Sequence, residues 1–265
     1  MIKIILCADD YAHNEEVTDG ILQLLTSKRL TAVSCLSTTK HWPEHAKSIT
    51  THHQQADIGL HFNLTEGSSL TGITFKSLKK LLINAFSKTI VTKKVINELN
   101  AQLDQFIYYT GISPDFIDGH QHVHHFPMVR DALLSVYKKR FVQKKPYIRI
   151  TTNYSSIKSC IISLTGAKKL KKMAKVFEIP HNTSFAGVYN FNHSKNYHQL
   201  FLKFLSQSQS GGIIMCHPGL TSNNVSDPLI ESRYHEFNYL ISNKFSEDCL
   251  NHNIVLSKFN DLESI

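Results

Sequence analysis

The stretch "IKIILCADD", residues 2–10, decides the fold of this chain. Residues 2–8 form an apolar run with several β-branched side chains, which is typical of a strand buried on both faces. Strands of this kind lie inside parallel sheets that helices cover on their outer side. The run ends at Asp9 and Asp10, so the stretch predicts a buried strand with two carboxylates at its carboxyl end.

Strand-like and helix-like segments alternate outward from this run. Residues 15–30 have the spacing of an amphipathic helix, and residues 31–38 read as a second strand. Further short apolar runs include "ADIGLHFNLT" (56–65), "PDFIDGHQH" (114–122), "YIRI" (147–150) and "GGIIMCHPG" (211–219), with helical patterns at 92–109 and 127–139. Pro127 is expected in the first turn of the latter helix. The alternation predicts an α/β fold with mostly parallel strands, and the absence of repeats or linkers predicts a single domain over residues 1–265.

Composition limits the class of protein. The 265 residues are 42% hydrophobic and carry a net charge of +8, which suits a folded protein with a large core. Five scattered cysteines without a CxxC pair argue against disulfides and thiolate zinc sites, and the short amino-terminal run argues against a signal peptide. We therefore expect a soluble, cytoplasmic protein.

A lysine cluster lies at residues 168–175, in "KKLKKMAK". Its helix-like spacing favours a solvated helix face over a core stripe of Leu170, Met173 and Val176. The alternative is a surface that contacts a membrane or an anionic substrate.

Polar residues follow four of the predicted strands. Asp9 and Asp10, His61, His120 and His217 each stand at or near the carboxyl end of an apolar run. In barrels and open parallel sheets the active site is assembled at that edge. The four segments are therefore expected to converge.

These residue types suit metal-dependent hydrolysis. One carboxylate and two imidazoles leave coordination positions open, as catalytic metal sites require, and Asp10, His61 and His120 supply that set. A bound zinc ion lowers the pKa of water from 15.7 to about 7, and a nearby carboxylate can then take the proton. His217 is the candidate for delivering a proton to a leaving nitrogen.

The segment "HQHVHH", residues 120–125, offers more imidazoles than one metal needs. In an extended chain His120, His122 and His124 share a face that His125 opposes, so at most two or three can reach one ion. The others are expected to support the site, contact substrate or lie on the surface. Asp118 is expected to orient an imidazole.

Two alternatives remain open on the residues alone. A non-haem iron oxygenase uses the same carboxylate and two histidines, although no close H-x-D or H-x-E pair occurs near His61 or His120. A basic protein that binds nucleic acid or anionic lipid would explain the charge, although no nucleic-acid motif is present.

The motifs resemble those of the YdjC-like carbohydrate deacetylases. "ADDYAHNEEVTDGI" is similar to the family's opening ADDFG-x-S-x-x-V-N-x-G-I, and "GLHFNLT" is similar to G-x-H-x-x-L-T. "DGHQHVHHFP" resembles D-S-H-x-H-V-H-x-x-P, and "IIMCHPG" resembles the closing H-P-G. The four motifs occur in one order between residue 3 and about residue 219. Ala12, His13 and Gly119 depart from the pattern, which affects only local loop geometry and hydrogen bonding.

The resemblance implies a seven-stranded (β/α) barrel related to polysaccharide deacetylases, which removes acetyl groups from N-acetylated sugars. Matched by position, Asp10, His61 and His120 are the metal ligands, Asp9 is the base and His217 is the acid. Arg149 falls where the family often has an arginine near the site. Asp118, His122 and His124 are expected beside the ligands or against the substrate.

The cofactor and partners follow from the same resemblance. One divalent ion is expected, Mg or Zn first, with Mn or Co as alternatives. The substrate is an N-acetylated sugar, either an oligosaccharide or a lipid-carried sugar, and "NTSFAGVYNF" (182–191) with the lysine cluster favours the second. We expect no nucleic acid, at most peripheral membrane contact, and a homodimer as the commonest assembly of soluble enzymes.

Overall fold

The computed structural model describes residues 1–152, 163–191, 196–221 and 227–262. Its strands are all parallel and form one curled sheet in the order β5-β4-β3-β2-β1-β7-β6, with β8 paired to β1. The strands are β1 Ile2–Tyr11, β2 Ala32–Cys35, β3 Asp57–Phe62, β4 Phe116–Gly119, β5 Tyr147–Ile148, β6 Phe185–Ala186, β7 Gly212–Cys216 and β8 Ile254–Leu256. The helices are α1 Glu15–Thr26, α2 Trp42–Thr50, α3 Leu78–Phe86, α4 Thr92–Thr110, α5 Val129–Arg140, α6 Lys168–Val176, α7 Tyr197–Ser206, α8 Ile230–Ile241 and α9 Asn243–Asn251.

The first strand lies in the middle of the sheet, and both of its faces are buried as predicted. It pairs with β2 on one side and β7 on the other, and β8 pairs with its first residues, Ile2 to Ile4. Side chains alternate along β1, so Ile4 and Leu6 belong to the core under the helices, whereas Ile5 and Cys7 belong to a second core. The run is therefore apolar throughout because both of its faces are buried.

The curled sheet brings its two ends together. Ile148 at the end of β5 forms a parallel bridge with His181, and a few residues later β6 pairs with β7. Seven strands therefore occupy the path around the sheet, which agrees with the expected barrel, and β8 is an additional strand. The second core fills the inside, where the Phe116 and Tyr147 rings stack at 4.9 Å.

Gly59 on β3 allows that inner core to close. A Cβ atom at this position would lie 2.5 Å from carbon atoms of the Phe116 ring. We expect Gly59→Ala to lower the free energy of unfolding by about 1–3 kcal/mol, because the packed ring must move. Urea unfolding of Gly59→Ala, Phe116→Leu and the double variant measures this. The smaller Leu side chain should recover part of the loss in the double variant, and strictly additive losses would contradict the steric explanation.

Two local predictions were wrong. Pro127 does not lie in the first turn of α5, because the helix begins at Val129 and Met128 precedes it at φ 66°. In the lysine-rich helix α6 the buried residues are Leu170 and Ala174, whereas Val176 is 69% exposed. Within the described ranges, four cysteines are free and buried, and Cys160 lies outside those ranges.

A membrane-spanning segment is missing from the part of the chain that the structure describes. No helix there combines the length and the hydropathy that a bilayer crossing requires.

Candidate active site

The chain turns at the carboxyl end of β1, and this turn brings both aspartates to one place. Asp10 adopts φ 66°, and the register between β1 and β2 shifts between Ala8 and Tyr11. A residue in the left-handed region breaks the strict alternation of strand side chains. Asp9 and Asp10 therefore both line the same cavity.

Asp10, His61 and His120 lie together at the carboxyl edge of the sheet. The Asp10 Oδ1 atom is 3.4 Å from His61 Nε2 and 3.0 Å from His120 Nδ1. One donor atom from each residue lies within 4.8 Å of the other two. The three residues that were predicted as one ligand set are thus neighbours, although they are supplied by three different strand ends.

Asp118 and Ser34 contact His61 from behind. Its Nδ1 atom is 2.6 Å from Asp118 Oδ1 and 2.8 Å from Ser34 Oγ, and the Ser34 hydroxyl donates to Asp118 at 2.6 Å. Burial by itself lowers the pKa of His61, but attraction to Asp118 and Asp9 raises it to about 10 when no metal competes for the imidazole. The imidazole that Asp118 contacts is therefore that of His61, and its role in orienting this ring stays a prediction.

His120 begins a tight turn and has a partner that the sequence did not indicate. Its Nε2 atom is 2.8 Å from Glu66 Oε2, while Nδ1 faces Asp10. Residues His120–His125 form a 3₁₀-type segment in which Gln121 and His122 have φ of 52° and 60°. The prediction of an extended histidine segment was wrong, since the chain coils directly after β4.

The remaining histidines of the segment are buried rather than exposed. His122 lines the cavity and meets the Phe185 ring edge-on, with ring centroids 5.9 Å apart. His124 Nε2 donates to the Arg149 carbonyl at 2.8 Å, and His125 Nδ1 lies 3.0 Å from Thr151 Oγ1. Burial lowers the pKa of His124 to about 4, so its imidazole is neutral at pH 7. The idea that some of these side chains lie on the surface is not supported.

Arg149 is fully buried and joins two carboxylates. Its guanidinium donates to Asp9 Oδ1 at 2.6 Å and to Asp9 Oδ2 at 2.7 Å, and it lies 3.0 Å from Asp118 Oδ2. Such fork-to-fork pairing fixes a carboxylate in one orientation. A second group of metal-type side chains, Cys7, Asp9 and Asp118, surrounds the same guanidinium, so Arg149 is the cation at that place.

His217 lies on the other side of Asp9. Its Nε2 atom is 4.0 Å from Asp9 Oδ2, and its backbone N–H donates to Glu236 Oε2. Burial lowers the pKa of His217 to about 4, although the charges of Asp10 and Asp9 act in the opposite direction. The imidazole is therefore neutral before a substrate enters.

Arg233 and Glu236 of α8 complete the site and were missed by sequence reasoning. Arg233 donates to Asp10 Oδ2 and to Asp227 Oδ2, both at 2.8 Å, and Glu236 accepts from Tyr189 Oη as well as from His217. A signal was present, because Arg233 and Glu236 stand on the same helical stripe as the buried Phe237. Charged residues on an apolar stripe indicate buried ion pairs. Ser34 and Glu66 gave no comparable signal.

These groups surround a cavity of about 460 Å³. Its polar lining includes Asp9, Asp10, His61, His120, His122 and His217, and its other walls are mostly apolar. The wall residues include Val188, Tyr189, Phe191, Met215, Pro228 and Leu229. The Phe191 ring meets His217 edge-on at 5.3 Å. The cavity thus places a reactive polar end next to a surface suited to a methyl group or the face of a sugar ring.

The donor set fits a divalent metal ion. One carboxylate and two imidazoles are present, and both imidazoles have their second nitrogen bonded to a carboxylate, His61 to Asp118 and His120 to Glu66. This arrangement is the usual one for histidine ligands, because the outer carboxylate fixes the ring and its tautomer. Fewer protein donors than a closed structural site would leave room for water and substrate.

Substitution of Ser34 tests whether the groups behind the proposed ligands support metal binding. We expect Ser34→Ala to weaken metal binding about 10- to 100-fold, because His61 and Asp118 lose their shared hydroxyl. Titration calorimetry with zinc measures the affinity. Ser37→Ala is the matched control, since Ser37 is also buried and hydrogen-bonded but contacts Gln102 instead. Equal affinities of the two variants would contradict the assigned role of Ser34.

Comparisons with known proteins identify relatives of this chain. The YdjC-like protein family model matches residues 3–251. A chitooligosaccharide deacetylase of Escherichia fergusonii is 24% identical over 231 residues, 84% of this chain and 83% of that protein. A carbohydrate deacetylase of Mus musculus is 28% identical over 157 residues, 54% of this chain and 50% of that protein. The chain thus spans about half the length of that mouse relative.

Solved structures share the fold. A protein from Enterococcus faecalis, provisionally named a cellobiose-phosphate cleavage protein, aligns with a TM-score of 0.77 at 21% identity and covers 98% of both chains. A peptidoglycan N-acetylglucosamine deacetylase aligns with a TM-score of 0.54 at 12% identity, over 98% of this chain and 87% of that one. The predicted relation to the fold of polysaccharide deacetylases is confirmed. Since the family model covers nearly the whole sequence, the chain belongs to the YdjC-like protein family.

Proposed function

We propose that this chain is a metal-dependent hydrolase that removes the acetyl group from an N-acetylated amino sugar. The observation that carries the proposal is the convergence of Asp9, Asp10, His61, His120 and His217 on one cavity. Relatives in the same family that are named carbohydrate and chitooligosaccharide deacetylases support the choice of reaction.

Asp10, His61 and His120 would hold the metal. When bound, a divalent ion polarises the amide carbonyl and makes a water molecule nucleophilic near neutral pH. Arg233 donates to Asp10 Oδ2 at 2.8 Å, and Oδ1 would be the ligand because it is the oxygen that faces both imidazoles.

Asp9 would act as the base. Arg149 fixes both of its oxygens but leaves lone pairs free on each, since a carboxylate oxygen accepts more than one hydrogen bond. Oδ2 is the oxygen on the side of His217. Asp9 is therefore held in place to take a proton from water attacking the acetamide carbon.

His217 would deliver a proton to the departing nitrogen. Since its pKa is about 4, the imidazole is neutral at pH 7, so the proton must be supplied during the reaction. The proton that Asp9 removes from water is the nearest source, because the two side chains are 4.0 Å apart. Breaking the C–N bond then leaves acetic acid and the free amine, because the OH of the water ends on the acyl carbon and its other hydrogen ends on the nitrogen.

The substrate would present its acetamide to the polar end of the cavity and its ring to the apolar wall. Tyr189 and Phe191 provide aromatic surface beside His217, which suits a pyranose face. The sugar could be free, part of an oligosaccharide or carried by a lipid, and all three forms leave the reacting group unchanged.

Acetate release from these three kinds of substrate tests the proposal. We expect at least one of them to be deacetylated, the rate to disappear after chelation, and addition of Mg, Zn, Mn or Co to restore it. Metal analysis should find one ion per chain. A rate that survives complete chelation would exclude the proposed chemistry. Equal rates with and without oxygen are also expected, because an iron oxygenase with the same ligand types would need oxygen.

A further inference from the structure

The segment between β3 and α4 combines positive charge with exposed apolar side chains. Residues 67–97 contain six lysines, Lys76, Lys79, Lys80, Lys88, Lys93 and Lys94, and no acidic residue. All six are exposed, and within the described ranges none of them forms an ion pair. We call the exposed side chains of residues 76–94 the α3 face.

Exposed apolar side chains lie among these lysines. Ile83 is 57% exposed, Phe86 is 55% exposed and Val91 is 56% exposed. The buried residues of α3 are Leu81 and Ala85, and at 3.6 residues per turn Ile83 points away from them. Lys79 and Phe86 flank Ile83 on the same helical surface. The outward side of α3 is therefore apolar at its centre and basic around it.

A groove opens beside this face. It measures about 590 Å³ and is lined by the apolar residues Ile73, Phe75, Leu81 and Ile90 together with polar residues and the lysines Lys76 and Lys94. Leu78, the first residue of α3, lines the cavity that Asp9 and His217 also line. The helix that carries the α3 face thus contributes residues both to this groove and to the candidate active-site cavity.

We propose that the α3 face docks the protein on an anionic lipid bilayer. A helix lying in the interface buries apolar side chains below the headgroups and places lysines among the phosphates, and this is the pattern of α3. A second copy of the chain fits less well, because an isologous dimer would bring twelve lysines, two sets of the six, to one interface. Nucleic acid would use the lysines but not Ile83 or Val91.

Flotation with lipid vesicles, without metal or sugar, tests this docking separately from the proposed reaction. We expect binding to vesicles of phosphatidylcholine mixed with phosphatidylglycerol, little binding to phosphatidylcholine alone, and weakening by salt. Each lysine near an anionic surface contributes about fivefold to binding, so Lys79→Gln/Lys80→Gln should weaken it about 25-fold. Ile83→Ser/Phe86→Ser should weaken it at least about tenfold, since the inserted side chains become polar.

The lysine-rich helix α6 provides matched controls. Lys169→Gln/Lys172→Gln removes the same charge from exposed positions, and Val176→Ser changes an exposed apolar residue. These variants should bind vesicles like the unmodified chain, and all variants should keep its circular dichroism spectrum. No binding of the unmodified chain to anionic vesicles would overturn the proposal. It would also be overturned by equal losses in the α6 variants, by a dimer that Ile83→Ser/Phe86→Ser dissociates, or by binding to single-stranded DNA alone.

Discussion

Asp9→Asn is expected to abolish most acetate release while leaving metal binding intact. Removing a positioned base lowers a rate by about 10²- to 10⁴-fold, and Asn keeps the size of Asp but cannot accept a proton at pH 7. The ligand set of Asp10, His61 and His120 does not include Asp9. Single-turnover acetate release gives the rate, and calorimetry with zinc gives the affinity.

His61→Ala should instead lose both metal binding and most of its acetate release. Without His61 only two of the three proposed protein donors remain to hold the metal. A bound metal stabilises the charge of the transition state by several kcal/mol, and losing this stabilisation corresponds to a drop in rate on the order of 10³-fold. Asp104→Asn and His235→Ala are suitable controls, because the replaced side chains lie away from the cavity. Full metal binding by His61→Ala, or loss of metal binding by Asp9→Asn, would contradict the proposed roles, in which His61 holds the metal and Asp9 is the base.

The positions of the main site residues could be predicted because they follow strands. Asp10, His61 and His120 come directly after or within apolar runs, and parallel strands deliver their carboxyl ends to one edge. The burial of β1 on both faces was predictable for a related reason, since a strand covered on both faces is apolar at successive positions.

Other features depend on contacts that one sequence does not reveal. The left-handed conformation of Asp10 and the coil after His120 are backbone states that the surrounding structure imposes on ordinary residues. Glu66 is far from His120 in sequence and sits in a polar loop, so nothing local indicated their hydrogen bond. Arg233 could have been suspected from its helical stripe, but its contact with Asp10 spans 223 positions.

Charge alternates through the buried centre of the site. Arg149 lies between Asp118 and Asp9, and Arg233 lies between Asp10 and Asp227. Each arginine thus compensates two carboxylates that would otherwise repel each other in a medium with little water. The arrangement explains how the protein can bury these four carboxylates close together and still fold.

Arg149→Met should therefore destabilise the metal-free protein by about 3–5 kcal/mol at pH 7, because Asp9 and Asp118 become buried charges without their partner. Urea unfolding in the presence of a chelator measures this. Arg149→Lys should lose less, since it keeps the charge but not the two-pronged contact with Asp9. A double-mutant cycle with Asp118→Asn should show coupling between Arg149 and Asp118, and additive losses would contradict the proposed compensation.

The loss should also depend on pH in a defined direction. Burial raises the pKa of Asp118, but the Arg149 guanidinium and His61 outweigh it and hold that pKa below the ordinary 3.8. A carboxyl with a lowered pKa stabilises the fold above its ordinary pKa, and this contribution disappears as the pH falls through the lowered value. In Arg149→Met the Asp118 carboxyl takes up its proton at higher pH, because the strongest attraction that opposed burial is lost. The deficit should consequently be largest at neutral pH and should narrow toward pH 4, whereas a deficit that stays constant with pH would show that Arg149 stabilises the fold by packing alone.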